Sequence, residues 1–423
     1  MTFEITPHKL VYGGAALAYS QGRTVLASGV LPGERAEVES FRAAKGVLRA
    51  RPVRILSKAP GRVEPPCPYF GVCGGCHYQH LKGQDQITWK TEILRETLRR
   101  IGKISWEGEI TVHQAEPWHY RNQAELKVGR NSSGGVALGF FEAESHRLVP
   151  IEHCAILSPR LNGAISQLNE FAVRSRLGDY NEIQLFADDR DEHMRILLRG
   201  AAVTREATDL AEDLLSRMGG AIGIVVEAGE SRWLAGEGAI RYRVGEFEYR
   251  ISPGAFFQAS RFLISDLVTA VSAGEGGQVA LDLYAGVGLF SLPLAKRFSE
   301  VRAVESQMAA AEDLRWNAQA AGLGNLRISN QNVQDFLRRY AGPEPDLAVL
   351  DPPRAGAGPP VLERLAMLAP RRIRYVSCHP PTGARDLGFL LHRGYRLESV
   401  EMFDFFPQTY HIESIARLAR SIR

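Results

Sequence analysis

The sequence predicts an α/β chain in three parts: an N-terminal OB-like β-barrel, a central α+β region, and a C-terminal domain with a parallel sheet. Three observations predict this. The 423 residues suffice for two to three domains at about 150 residues each. The first sixty residues read as short strands broken by glycine turns. From about Gly277 onward, strand, glycine turn and helix alternate. The expected partition is residues 1–58, 59–250 and 251–423.

In the first part, Ala15 to Tyr19, Thr24 to Ser28, Glu34 to Phe41 and Val47 to Leu56 are the expected strands. Gly13-Gly14, Gln21-Gly22, Leu31-Pro32-Gly33 and Gly46 punctuate them, a spacing that suits a small antiparallel barrel. Arg42, Lys45, Arg49, Arg51, Arg54, Lys58 and Arg62 fall in one stretch without an acidic residue. Such a run is either a solvated strand face or a surface that tracks phosphates. Pro60 to Pro68 reads as a linker. Gln84 to Ile101 is an expected helix, with Ile87, Leu94, Leu98 and Ile101 on one face. Strand-like pieces then dominate as far as Arg250, with one helical segment near Arg205 to Met218.

Composition narrows the function classes. Apolar residues make up 45% and charged residues 23%, with a net charge of +3. Any polyanion must therefore be held by local patches rather than by a global field. The longest stretch without charge, Pro65 to Leu81, is full of Pro, Gly, Cys and His, so no membrane span is expected. Glu4, His8 and Lys9 interrupt any apolar leader. The expectation is a cytoplasmic monomer.

The C-terminal part carries the first chemical signal. Leu281-Asp282-Leu283-Tyr284-Ala285-Gly286-Val287-Gly288 ends a strand and opens a helix, where glycines allow a tight turn and close approach of a ligand. The third glycine of a dinucleotide fingerprint is absent. Glu305 ends the next strand, where a carboxylate can accept hydrogen bonds from ribose hydroxyls. Asp351-Pro352-Pro353-Arg354 follows the apolar strand Leu347 to Leu350. Together these strand ends look like the S-adenosylmethionine site of a class I, Rossmann-like methyltransferase domain.

Cys378, in Tyr375-Val376-Ser377-Cys378-His379-Pro380, ends another strand. It is either a small buried apolar side chain or a nucleophile at the cofactor edge of the sheet. C5 of a pyrimidine is a poor nucleophile. A thiolate added at C6 makes C5 enolate-like and able to attack a methyl group, after which a base must remove the C5 proton. Glu413, in Phe406-Pro407-Gln408-Thr409-Tyr410-His411-Ile412-Glu413, is the candidate base. A surface carboxylate is the alternative.

The other cysteines are clustered. Cys67, Cys73 and Cys76 lie within ten residues, and Cys154 follows. An odd, sparse count argues against a disulfide scaffold. Four thiolates suit zinc or an iron–sulfur cluster, and spacing does not choose between them. If all four bind metal, no second free thiol remains to act as base, which favours a carboxylate in that role.

These motifs, taken together, resemble the RNA uracil-C5 methyltransferases, especially the 23S rRNA enzymes with an N-terminal TRAM domain. Gly13 to Gly33, with Leu31-Pro32-Gly33-Glu34, looks like TRAM. Phe256-Phe257-Gln258, Asp282 to Gly288, Asp351 to Arg354, Ser377 to Pro380 and Phe406 to Glu413 match the family's motifs in order. The resemblance implies that Gln258, Tyr284, Glu305 and Asp351 contact S-adenosylmethionine. It implies Cys378 as nucleophile, Glu413 as base, and a [4Fe-4S] cluster on Cys67, Cys73, Cys76 and Cys154. Two positions depart from the family: His379 stands where Asn is usual, and Leu289 where some members have a polar residue. Asn332 is a weaker match for a residue near the adenine.

The expected activity is S-adenosylmethionine-dependent C5-methylation of a uridine in RNA, with 23S rRNA preferred and tRNA as the alternative. The base would have to be looped or flipped out to be reached. Two other classes compete: a catalytically inactive RNA-binding protein, which the intact Cys378 and Glu413 oppose, and an iron–sulfur redox sensor.

Overall fold

A computed structural model describes residues 2–131, 134–172, 176–200 and 202–421. It is an α/β structure with three larger sheets and a two-stranded hairpin.

The four expected N-terminal strands form as Ala15–Ser20, Arg23–Ser28, Arg35–Ala44 and Val47–Ser57. Thr2–Ile5 and Lys9–Leu10 join them at the two ends of a six-stranded sheet. Pairing is antiparallel except between Arg23–Ser28 and Val47–Ser57. Its small core holds Ile5, Val25, Val30 and Val38. Glu34 ties this sheet to the next segment. Its fully buried carboxylate accepts from Leu31 N at 2.8 Å, Ala59 N at 3.2 Å and Arg62 Nη2 at 2.7 Å. Burial would raise its pKa, but these donors outweigh that and hold it below 4.5.

The basic run is largely neutralised. Besides Arg62, the structure pairs Arg49 with Glu144 at 2.7 Å, Arg51 with Glu39 at 3.1 Å, Lys58 with Glu64 at 3.4 Å and Arg54 with Glu37 at 3.8 Å. Among the described residues only Arg42 and Lys45, at the tip of a hairpin, have no carboxylate partner within this run.

The central region is a seven-stranded sheet from Gln123–Arg130 to Ser231–Gly236, backed by helices Pro159–Ala172 and Arg205–Arg217. The first of these helices was not expected. Gly163 and several polar residues dilute its apolar stripe, yet Leu161, Ala164, Ile165 and Leu168 bury against the sheet.

The C-terminal sheet has eight strands. Seven run in one direction, five of them side by side in the order Leu326–Asn330, Phe298–Glu305, Gly277–Leu283, Leu347–Leu350, Arg372–Ser377. Glu413–Arg420 then runs antiparallel, followed by Tyr395–Phe403 and, at the edge, Ile110–His113. Chain order reverses between Gly277–Leu283 and Leu347–Leu350, the kind of switch point where open α/β sheets bind ligands. Helix Gly83–Arg100 packs here too, burying Ile87, Ile93, Leu94 and Leu98 in the C-terminal core, while Ile101 is exposed. Residues 83–113, grouped with the central part on sequence, thus complete the C-terminal sheet. No helix of the described residues is long and apolar enough to cross a membrane.

Candidate active site and cysteine cavity

The candidate site lies along the carboxyl ends of four neighbouring parallel strands. Gly277–Leu283 ends in the turn Tyr284 to Gly288. Tyr284 has φ +67°, a costly conformation for a bulky residue that marks a constrained site. Gly286, at φ +55°, has open space where a Cβ would be, so ligand can approach its backbone. A Cβ on Gly288 would instead run into Leu314 and Leu292. The buried Asn317 holds the turn by donating to Val287 O at 2.9 Å.

Glu305 closes this turn from the adjacent strand. It accepts from Gly286 N at 2.9 Å and from Gln307 N at 2.7 Å. Gln307 Nε2 also reaches Gly254 O at 2.6 Å, which ties the segment leading to Gln258 to the same corner. Gln258 is buried, and Gln123 pins its neighbour by donating to Phe257 O at 3.1 Å. Among the described residues no hydrogen bond joins the Gln258 side chain to Tyr284, Glu305 or Asp351.

The local charge is acidic. Asp282 is fully buried and accepts from Ser291, while its other oxygen has no partner. Burial, with Glu305 nearby, pushes its carboxyl up to about 7. Burial and Asp282 push Asp351 up to about 7 as well. Carboxyls crowded in this way favour a cationic guest, whose charge would restore their ionised forms. The sulfonium of S-adenosylmethionine fits that requirement. Asn332 is exposed and spends its side-chain oxygen capping helix Val333–Arg339, accepting from Asp335 N at 2.8 Å.

Cys378 and Glu413 come together through strand register. Ser377 is the cross-strand partner of Ser414, so Cys378 and Glu413 face each other one step beyond that pair. Burial pushes the Cys378 thiol up to about 12, with Glu413 and Asp351 adding to the rise and Arg354 opposing it. Glu413 is buried, one of its oxygens has no partner, and burial followed by Asp351 raises it well above 4.5. Burial of the pair therefore disfavours both charged forms.

The segment before Glu413 is anchored by residues that sequence reading missed. Lys90, buried on helix Gly83–Arg100, donates to Asp404 Oδ1 at 2.6 Å and Phe406 O at 2.9 Å. Gln86 exchanges hydrogen bonds with Gln408, donating to its side-chain oxygen at 2.9 Å and accepting from its backbone N at 3.0 Å. Tyr12, from the N-terminal sheet, sets its ring edge-on to His379 at 5.2 Å and Tyr410 at 5.3 Å. Gly14 allows this approach, since a Cβ there would sit 3.0 Å from His77 and 3.1 Å from Tyr410. Gly13-Gly14 was the visible signal of that turn, but not of its target.

Cys67, Cys73, Cys76 and Cys154 line one cavity of about 470 Å³, together with Arg121. Gly74 N donates to Phe141 O at 3.0 Å and Asn162 accepts from Cys154 N at 2.8 Å, so both cysteine segments are fastened to the central sheet region. Burial raises Cys73, pushes Cys76 up to about 12 and pushes Cys154 up to about 11. Among the described residues no group of three or more His, Cys, Asp or Glu side chains is placed to hold a metal ion.

An α/β sheet with a ligand turn at its switch point and a thiol–carboxylate pair beside it suits a methyltransferase. A family model described as tRNA (Uracil-5-)-methyltransferase matches residues 83–421. The 23S rRNA (uracil(1939)-C(5))-methyltransferase RlmD of Alkalilimnicola ehrlichii is 35% identical over 445 residues, covering 99% of this chain and 96% of that protein. An uncharacterized RNA methyltransferase of Thermotoga maritima is 34% identical over 454 residues, covering 100% of both. The crystal structure of the Pyrococcus abyssi tRNA (uracil-54, C5)-methyltransferase with S-adenosyl-L-homocysteine shares the fold, with a TM-score of 0.77 at 24% identity, covering 99% of this chain and 100% of that one. The chain belongs to the tRNA (uracil-5-)-methyltransferase family. It is an RNA uracil-C5 methyltransferase that uses S-adenosylmethionine.

Proposed function

We propose that this enzyme methylates a uridine of 23S rRNA through a covalent bond between Cys378 and C6 of the base. The observation that carries the reading is the register that sets Cys378 opposite Glu413 at the cofactor edge of the sheet. The rRNA target is supported by the similarity, over nearly the whole chain, to the Alkalilimnicola enzyme named for that substrate.

S-adenosylmethionine supplies the methyl group when bound. Gln258, Tyr284, Glu305 and Asp351 would hold it, with Glu305 oriented toward the ribose and Asp351 close to the positive charge. Cys378 and Glu413 give up their protons to solvent, and the sulfur adds to C6, which makes C5 nucleophilic. C5 takes the methyl group and S-adenosylhomocysteine leaves. Glu413 removes the C5 proton, and the C6–S bond breaks to release the RNA and restore the thiolate. The acidic surroundings raise the cost of both anions until a cation binds, which couples activation of the thiol to cofactor loading.

Three further assignments belong to this reading. Residues 1–58 act as a TRAM-type RNA-binding domain that meets RNA through the hairpin tip bearing Phe41, Arg42 and Lys45. Residues 59–250 form the central domain, and residues 251–423 form the methyltransferase domain, joined there by the segment 83–113. Cys67, Cys73, Cys76 and Cys154 hold a [4Fe-4S] cluster, a reading supported by the one cavity that all four cysteines line. Its role is to clamp the cysteine loop to the central domain, since methyl transfer needs no redox step. The enzyme works as a monomer in the cytoplasm, where ribosomal RNA is.

Mass mapping of 23S rRNA and tRNA from a deletion strain tests the target. Loss of one 5-methyluridine from 23S rRNA is expected. Loss from tRNA alone would move the substrate, and loss from neither would sink the reading.

A further inference from the structure

The residue after the nucleophile has its hydrogen-bonding polarity fixed by its neighbours. His379 Nδ1 lies 3.0 Å from Thr382 Oγ1. The Thr382 hydroxyl lies 2.9 Å from Arg354 O and 3.1 Å from His379 O. A hydroxyl has one proton to give, and either carbonyl takes it. With that proton on a carbonyl, Thr382 meets the imidazole with a lone pair, and the arrangement favours the ring proton on Nδ1. In the neutral ring Nε2 is left as a bare acceptor. Burial, with Arg354 and Arg385 in the surroundings, lowers the imidazole below 6.5, so the neutral form prevails at neutral pH. Tyr12 holds the ring edge-on from the other side and itself leans on Tyr410.

Uracil and cytosine differ in what their N3 positions offer. Uracil N3–H donates, and cytosine N3 accepts. An acceptor locked beside the nucleophile matches the first and sets lone pair against lone pair with the second. An amide at this position could turn over and present either polarity, whereas this tethered imidazole cannot.

We propose that His379 Nε2 accepts the N3–H of the target uracil, with Thr382 and Tyr12 as positioning residues, so that His379 selects uracil over cytosine. The inference rests on the reading of Cys378 as nucleophile, because that role brings the base to the neighbouring side chain.

The test is a binding cycle between His379 and N3–H. The probe is a 23S rRNA fragment centred on uracil 1939, the position in the name of the Alkalilimnicola relative. One version carries uridine there, and the other carries 3-deazauridine, which has C–H in place of N3–H. Affinities are measured with S-adenosylhomocysteine present and Cys378→Ala in every arm, so that no covalent bond forms. With His379 intact, uridine should bind about fivefold to tenfold more tightly, the worth of one hydrogen bond. His379→Leu should bring the ratio close to one, and His379→Asn, whose amide oxygen accepts, should restore it. Thr382→Val should shrink the ratio without touching the ring, and serves if His379→Leu fails to fold. A ratio unchanged in His379→Leu or in Thr382→Val overturns the proposal. Trapping of wild-type enzyme on 5-fluorouridine RNA tests the nucleophile separately: a missing adduct sinks that reading, whereas a missing coupling sinks only this one.

Discussion

Ser377 and Ser414 are cross-strand partners, and this single register sets Cys378 opposite Glu413. The two belong to strands of opposite direction, so the carboxyl end of one and the amino end of the other meet at the same edge of the sheet. A thiol and a carboxyl separated by 35 positions in sequence thereby share one buried environment. Each makes ionisation of the other harder, which suits a nucleophile and a base that act in succession rather than together.

Replacing the proposed nucleophile should separate chemistry from cofactor binding. Cys378→Ala should reduce methyl incorporation below detection, because C5 has no other route to activation. S-adenosylmethionine affinity, read by calorimetry, should change less than about threefold, since the lost thiol is worth little beyond its packing. Methylation close to the wild-type rate would remove Cys378 from the mechanism.

Replacing the proposed base should stall the reaction after methyl transfer. Glu413→Gln keeps the shape of the side chain but cannot take the C5 proton. A protein–RNA adduct carrying the methyl group should accumulate on a denaturing gel. Normal turnover with no adduct would assign proton removal to another group.

The same variant makes a stability prediction with a definite sign. Burial, then Asp351, raises Glu413 well above 4.5 in the folded chain. As pH rises past 4.5 the unfolded chain loses this proton first, so the unfolded state binds fewer protons and stability falls. The contribution is complete below pH 4.5 and is lost as pH climbs toward the folded value. Glutamine does not titrate. The melting temperature of Glu413→Gln should therefore gain on the wild type between pH 4.5 and 8. A difference that stays constant across that range would show that Glu413 is not buried as a neutral acid.

Lys90 offers a test of how the segment before Glu413 is held. Its ammonium is buried against Asp404 and Phe406 O. Burial lowers its pKa and Asp404 opposes that, so the charged form depends on its partner. Lys90→Met leaves Asp404 buried without a cation and should cost about 3–5 kcal/mol of stability. Lys90→Met combined with Asp404→Leu should recover most of it. Chemical denaturation reads both, and a single variant within about 1 kcal/mol of wild type would make the pair incidental.

The sequence showed some of this architecture and hid the rest for physical reasons. Buried parallel strands such as Leu347–Leu350 are continuous apolar runs and announce themselves. Glu413–Arg420 and Tyr395–Phe403 mix charged and apolar residues, and nothing local marks them as strands. The pairing of Ile110–His113 with Tyr395–Phe403 joins residues about 290 positions apart, so no local signal placed residues 83–113 in this sheet. The basic run looked like a phosphate track because its carboxylate partners, Glu37, Glu39, Glu64 and Glu144, lie outside it. Cys378, Glu413 and the cofactor residues were legible as motifs at strand ends. Tyr12, Gln86 and Lys90 were not, since a tyrosine after a strand and polar residues on a helix carry no local sign of what they will touch.

The cysteine cavity makes the last prediction. Cys67, Cys73, Cys76 and Cys154 face one cavity, and burial keeps Cys73, Cys76 and Cys154 from ionising without a cation. A metal centre would hold all four as thiolates and would close the chain between Cys76 and Cys154, so its binding energy would count as folding energy. Anaerobically purified protein should be brown, with about four irons and four sulfides per chain. Cys154→Ala removes one of the four thiols and leaves its backbone hydrogen bonds to Asn162 in place. It should lose iron and solubility, with a fall in melting temperature larger than that of Cys378→Ala. Cys378→Ala should keep its full iron content, because that thiol lies at the other site. Colourless protein with one zinc per chain would replace the cluster with a single ion and would require the four sulfurs to draw together. Loss of iron in Cys378→Ala as well would mean that the two sites are not independent.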